Sequence, residues 1–306
     1  MAIAALYDVA APAKLNLFLH VVGRRDDGYH LLDSLMVLID WADTLHFERR
    51  GDGRIARHDS AAALPADDLC LRAARALQQA SGSALGADIT IDKRVPWGAG
   101  LGGGSSDAAS TLLALNRLWG LAWPLERLLP IGLALGADVP FFLAGTNARV
   151  GGIGERITPV VVPPRWFAVV KPAAGLATRD VFARPEVAGR VEAARIAGFS
   201  ESVGRVHFLS QNNEGGDGGN DLQSAAESLC PDVGVAATRL FDAFGNSRMT
   251  GSGSAVFASA GSAGSAGEGA VPSAAMPGGW PPGWSVRMCR SLEHHPLGGW
   301  AEAKQF

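Results

Sequence analysis

The chain has 306 residues, 47% of them apolar and 19% charged, with a formal net charge of −3. That is enough apolar material for one large or two ordinary cores, and a pI near 6.2 lacks the basic footprint of a nucleic-acid partner. Cys70, Cys230 and Cys289 are scattered and odd in number, which excludes a sequence-local metal pair and suits a reducing compartment.

The N-terminal MAIAALYDVAAPAK has no basic region ahead of an apolar one, and no stretch approaches 18 consecutive apolar residues. Neither leader nor membrane span is expected, and the expected location is cytoplasmic. AKLNLFLHVV then alternates, with Lys14, Asn16, Phe18 and His20 on one face and Leu15, Leu17 and Leu19 on the other, which predicts a strand with one buried face. RDDG is a turn signal, and the strand character of HLLDSLMVLIDWADTLHFERR is interrupted near Asp40–Asp43. Asp67 or Asp68 caps a helix over LCLRAARALQQA that stops at Gly82, and ADITIDKRVP is a strand leading into a glycine-rich stretch.

That stretch, VPWGAGLGGGSSDAA, is the most informative in the chain. Five of the seven residues from Gly98 to Gly104 are glycine, and a helical pattern begins at Ser105. Glycine lets backbone N–H groups approach a ligand, and a helix start adds unpaired donors and partial positive charge. The pattern predicts a phosphate site. It lacks the Gly-Lys-Ser/Thr end of a Walker loop, and the following TLLALNRLWG is a helix where a dinucleotide fold requires a second strand. Asp107 is read in the first helical turn, where a carboxylate complements the dipole, and Leu112, Leu115, Leu118 and Trp119 form a buried stripe ending at Gly120.

Pro124 opens a further helix that Pro130 kinks or divides, and GADVP is a turn before an apolar run and ARVGGIGERITPV. A second region begins near residue 160: RWFAVVKP is a strand, 180–205 polar and helical, 213–220 a flexible loop and 232–244 a helix. RMTGSGSAVFA is a loop-to-strand unit, 259–283 a Gly/Ser/Ala/Pro-rich insertion, and WSVRMCRSL a last strand. Strands and helices mix without strict alternation, which predicts an α+β architecture with partly antiparallel sheets.

Taken together and in this order, PAKLNLFL, RDDGYH, PWGAGLGGGSSDAA, GADVP and MTGSGSAVF resemble the GHMP kinase superfamily over roughly residues 8–258. Through AKLNLFLHVVGRRDDGYH they resemble its branch acting on 4-diphosphocytidyl-2-C-methyl-D-erythritol. The resemblance implies a two-domain α+β GHMP-kinase-like fold, divided here as 1–159 and 160–306, with the active site in the cleft between. It also implies ATP with Mg2+ as cofactors, a cytidine diphosphate-linked small-molecule substrate and phosphoryl transfer to its 2-hydroxyl. Neither nucleic acid nor membrane is an expected partner.

Carried onto this chain, the resemblance assigns catalysis to Lys14 and Asp138. Nucleotide binding falls to Leu69, Lys93, Pro96, Gly98, Gly100, Leu101, Gly102, Gly103, Gly104, Ser105 and Ser106, and substrate binding to Asn16, Tyr29, His30, Thr178 and Phe182. The chemistry fits. Phosphoryl transfer needs positioning and charge neutralisation, a carboxylate can orient and deprotonate an alcohol, and an aromatic face with imidazole nitrogens suits a base. Asp68 stands where the family has an adenine-lining asparagine. The residues taken singly also allow plainer roles: Asp138 as a cap before Pro140, Lys14 as a solvated strand lysine, Phe182 as core, Ser105 and Ser106 as caps. Metal ligands are not assigned; one of the two serines can reach Mg2+. Two other functions remain open at this level, a superfamily kinase acting on homoserine, mevalonate or a sugar, and a catalytically silent nucleotide sensor.

Overall fold

The computed structural model describes residues 3–60, 64–188, 219–263, 272 and 274–301. The frame is a long antiparallel hairpin of β1 (Ala5–Arg24) and β2 (His30–Arg50), turned at the predicted RDDG. Along its other edge β2 has three partners in turn. It pairs with β5 (Ala148–Gly152) through Leu32–Met36, with β10 (Ser285–Leu292) at Leu38 and Ile39, and with β4 (Gly86–Asp92) through Thr44–Arg50. β3 (Ile55–Asp59) adds to β4 in parallel, and β6 (Arg156–Pro159) closes a hairpin with β5. β7 (Arg165–Lys171), β8 (Arg248–Met249) and β9 (Val256–Ser262) extend the sheet, in the order β3-β4-β2-β10-β7-β9-β8. One parallel pair among antiparallel ones makes the sheet mixed, and the architecture is α+β as expected. β10 pairs with both β7 and β2, so the last strand is hydrogen-bonded to both halves of the chain.

Helices α1 (Leu69–Ser81), α2 (Gly103–Leu118), α3 (Leu125–Leu135) and α4 (Val139–Ala144) cover the first half of the sheet, and α5 (Thr178–Phe182), α6 (Gln223–Leu229) and α7 (Asp232–Phe244) the second. Asp68 caps α1 by accepting from Leu71 N at 3.0 Å, and Gly82 ends it in the left-handed conformation, both as predicted. Four expectations change. β1 is buried on both faces from Ala11 to Leu19, because α2 lies against the side carrying Lys14 and Asn16. α2 starts at Gly103, two residues early, so Asp107 falls in its second turn, and it is buried almost all round between the sheet and α1, α3 and α4. α3 runs unbroken through Pro130; Pro130 and Glu126 are both exposed, leaving the carbonyl without a donor open to water. The break expected near Asp40–Asp43 is a bulge at Asp40 and Trp41 inside a continuous β2.

The insertion expected at 259–283 starts as strand through Ser262. Its residues 264–271 and 273, most of the 213–220 loop and positions 189–205 of the polar helical stretch lie outside the described residues. All three cysteines are buried and free. Among the described residues no helix is long and apolar enough to cross a membrane.

Candidate active site

A cleft of ≈ 550 Å3 runs between the two halves. Its middle is the glycine loop, 98–102, leading into α2. Leu64, Asp68, Leu69, Pro96 and Trp97 line one end, and Leu19, Leu32, Leu176, Thr178 and Phe182 contribute to the rest. The first N–H groups of α2 have no intrahelical acceptor, so the loop delivers donors and a dipole end to the centre of the cleft. All of the predicted nucleotide residues line the cleft except Ser106, which is fully buried; its hydroxyl has no partner among the described residues.

The loop is sewn to protein on both sides. Leu101 O accepts from Lys14 N (3.0 Å), Gly98 O from Leu176 N (3.2 Å) and Ser254 N (3.1 Å), and Ala99 O from Ala255 N (3.1 Å). This adds a reason for its glycines. Gly100 has φ 72°, and a Cβ there would lie 2.1 Å from Thr250 O; at Gly102 it would lie 2.9 Å from the Phe142 ring and 3.1 Å from Lys14 Cγ. The glycines therefore serve close approach to neighbouring protein as well as to a ligand.

At the loop's end Lys14 Nζ lies 3.5 Å from Asp138 Oδ2, the lysine 3% and the aspartate 31% exposed. Neither plainer role survives. Lys14 is buried, and Asp138 precedes α4 without a side-chain cap bond, leaving its carboxylate to face Lys14 and the cleft. Asn16 is wholly buried. Its Oδ1 accepts from Lys14 Nζ and from Thr250 Oγ1 (3.3 Å), and its Nδ2 donates to Ser34 Oγ (2.8 Å). Its visible work is to hold the lysine.

The predicted base-reading residues sit apart from the loop. The His30 and Phe182 rings stack at 4.8 Å between centroids, Tyr29 is 62% exposed, and Thr178 Oγ1 is 2.8 Å from Ser252 Oγ. Tyr29 and His30 do not line the cleft themselves; His30 adjoins it through Phe182. Burial, then the Arg24 guanidinium, pushes the His30 pKa below its ordinary value, which favours the neutral ring.

At the opposite end the Asp68 carboxylate is spent on the α1 cap and on Arg57 (2.9 Å), so it offers no amide-like contact. Lys93, expected at the nucleotide, lines the cleft with its ammonium between two carboxylates, Asp107 Oδ2 at 2.7 Å and Asp43 Oδ2. Burial pulls down the Lys93 pKa, but the two aspartates outweigh it and leave it raised; burial pushes the Asp107 carboxyl up to about 7 against the opposing lysine. Asp43 and the half-exposed Trp97 were not singled out from sequence. Asp43 lies on a strand distant in sequence from the loop, while Trp97 abuts Gly98 and could have been found as an aromatic beside a phosphate loop.

Residues 68–146 match the family model for the GHMP kinases N-terminal domain. The 4-diphosphocytidyl-2-C-methyl-D-erythritol kinase of Methylibium petroleiphilum is 60% identical over 98% of this chain and 100% of its own, and that of Albidiferax ferrireducens 55% over 97% and 96%. A crystal structure of 4-(cytidine 5'-diphospho)-2C-methyl-D-erythritol kinase superposes with a TM-score of 0.63 at 36% identity, covering 83% of this chain and 88% of that one. With near full-length identity and a matching fold, the chain belongs to the 4-diphosphocytidyl-2-C-methyl-D-erythritol kinase family of the GHMP kinases.

Proposed function

We propose that the chain transfers the γ-phosphoryl group of ATP to the 2-hydroxyl of 4-diphosphocytidyl-2-C-methyl-D-erythritol, giving the 2-phosphate and ADP in non-mevalonate isoprenoid precursor synthesis. The observation that carries this reading is the Lys14–Asp138 pair beside a helix-headed glycine loop, 3.5 Å apart and open to the cleft. The loop and the first turn of α2 take the nucleotide phosphates through backbone N–H groups, with the Ser105 hydroxyl beside them. Asp138 orients the acceptor alcohol and takes its proton as the oxygen attacks phosphorus. Lys14, held by Asn16 and by the Leu101 carbonyl, neutralises charge growing on the transferring group. Leu69, Pro96 and Trp97 receive adenine, while Tyr29, His30, Thr178 and Phe182 receive the cytidyl end.

Mg2+ fits this site as a companion of ATP. Among the described residues no group of three or more His, Cys, Asp or Glu can hold a metal alone, whereas Ser105 and the unpartnered hydroxyl of Ser106 stand at the start of α2. When bound it would offset phosphate charge, with the hydroxyl of Ser105, which lines the cleft, as its protein oxygen.

The test is ADP release from Mg2+ and ATP with the diphosphocytidyl polyol, beside homoserine and mevalonate, for wild type and Asp138→Asn. Turnover with the cytidyl substrate alone, lost in the variant, is expected. Turnover with homoserine or mevalonate in its place overturns the substrate assignment.

A further inference from the structure

We propose that Asp43, Lys93 and Asp107 form a clasp across the neck of the phosphate loop, and that Lys93 acts as a positioning residue for the nucleotide rather than as its ligand. The proposal rests on the reading that this loop binds ATP. The chain leaves β4 at Lys93, forms the loop and re-enters as α2, where Asp107 lies in the second turn. The 2.7 Å contact from Lys93 Nζ to Asp107 Oδ2 therefore joins the segment before the loop to the segment after it. Asp43 fixes the same point from β2. Its Oδ1 accepts from Arg94 N at 2.6 Å and Val95 N at 2.8 Å, and its Oδ2 from Lys93. Trp41 Nε1 donates to the Arg94 carbonyl at 2.8 Å, so Arg94, ahead of the loop, is tied through both its N–H and its C=O.

The cluster is shielded: the Asp43, Asp107 and Lys93 side chains are 0%, 5% and 11% exposed. One ammonium between two carboxylates is already neutralised, and moving it to a phosphate would leave both aspartates buried without their cation. Nor is there slack at the neck. A Cβ on Gly103, the first residue of α2, would lie 3.0 Å from Val95 Cγ1 and 3.5 Å from Asp43 Oδ2. The clasp thus sets the distance between the loop and the α2 N-terminus, the two sources of N–H donors that must converge on one set of phosphates. Among the described residues no hydrogen bond or ion pair joins Lys14 or Asp138 to Asp43, Lys93 or Asp107.

The experiment compares KM for ATP, KM for the cytidyl substrate, kcat at saturating ATP and ATP affinity without cosubstrate, in wild type, Lys93→Met and Asp107→Asn. Lys93→Met is expected to raise KM and Kd for ATP about tenfold or more, with kcat and the cytidyl KM within about twofold, because misplaced donors weaken the nucleotide site alone. Asp107→Asn keeps an oxygen for Lys93 while removing a charge, and is expected to shift the same two ATP constants in the same direction by less. A merely structural cluster would lower Tm and the active fraction with ATP constants unmoved; that result overturns the proposal, as does a loss of kcat at saturating ATP, which would place Lys93 in the transfer step. Should Lys93→Met not fold, Asp107→Asn decides: unchanged ATP constants overturn the clasp. Wild type that binds ATP but leaves the cytidyl alcohol untouched refutes the substrate reading alone, since the Kd comparison still tests the clasp.

Discussion

The two ends of the cleft are built by opposite means. The phosphate end is fixed before any ligand arrives: loop carbonyls are taken by Lys14, Leu176, Ser254 and Ala255, its neck is pinned by charge, and its glycines are packed against protein. The proposed cytidyl end consists of one ring pair, an exposed tyrosine and a five-residue helix. The difference follows the chemistry. Phosphoryl transfer requires donors in place without reorganisation, whereas a base must enter between rings that can part. Here Phe182 rests on His30, and a base sandwiched with Phe182 would take that face.

The largest expected effect lies at the fixed end. Asp138→Asn should lower kcat by about 10²–10⁴ with both KM values nearly unchanged, read from steady-state ADP release; a normal kcat removes it from proton transfer. Gly100→Ala comes next. Its left-handed backbone and the 2.1 Å approach to Thr250 O should cost about 1–3 kcal/mol from strain alone, seen as a lower Tm with weakened ATP binding. Full stability would mean that the two loops separate freely. At the other end Tyr29→Ala should weaken the cytidyl substrate by about 1–3 kcal/mol while sparing ATP, measured by competition with a cytidine nucleotide. Equal weakening of both ligands would erase the contrast between the ends. The smallest effect concerns pH. Because burial and then the Arg24 guanidinium lower the His30 pKa, any rise in cytidyl KM from protonation of the ring should begin at a lower pH than an ordinary histidine would give. A rise beginning above pH 7 would contradict the burial that depresses it.

What could be read from sequence was local. The Asp68 cap, the Gly82 stop and the RDDG turn each depend on neighbouring residues and appear where expected, and the helix after the glycine loop is displaced by only two residues. The failures concern covering and convergence. Alternation along β1 marks one face as polar, but only the placement of α2 decides that Lys14 and Asn16 are buried. Asp43, Lys93 and Asp107 come from three elements, and no spacing in the chain announces that they meet. Asp138 was ambiguous for the same reason, since its partner lies on β1, far away in sequence.

The return of β10 to β2 has a consequence for synthesis. Leu38 and Ile39 belong to the hairpin that carries Lys14 and Asn16, yet their partners Leu292 and Ser291 are made about 250 residues later. Until they are made that edge of β2 stays open, a site for wrong pairing with other chains. Long-range pairing of this kind is slow. The sheet therefore cannot be completed before β10 is made, and a product cut before Ser285 would carry every proposed catalytic residue on an unfinished frame.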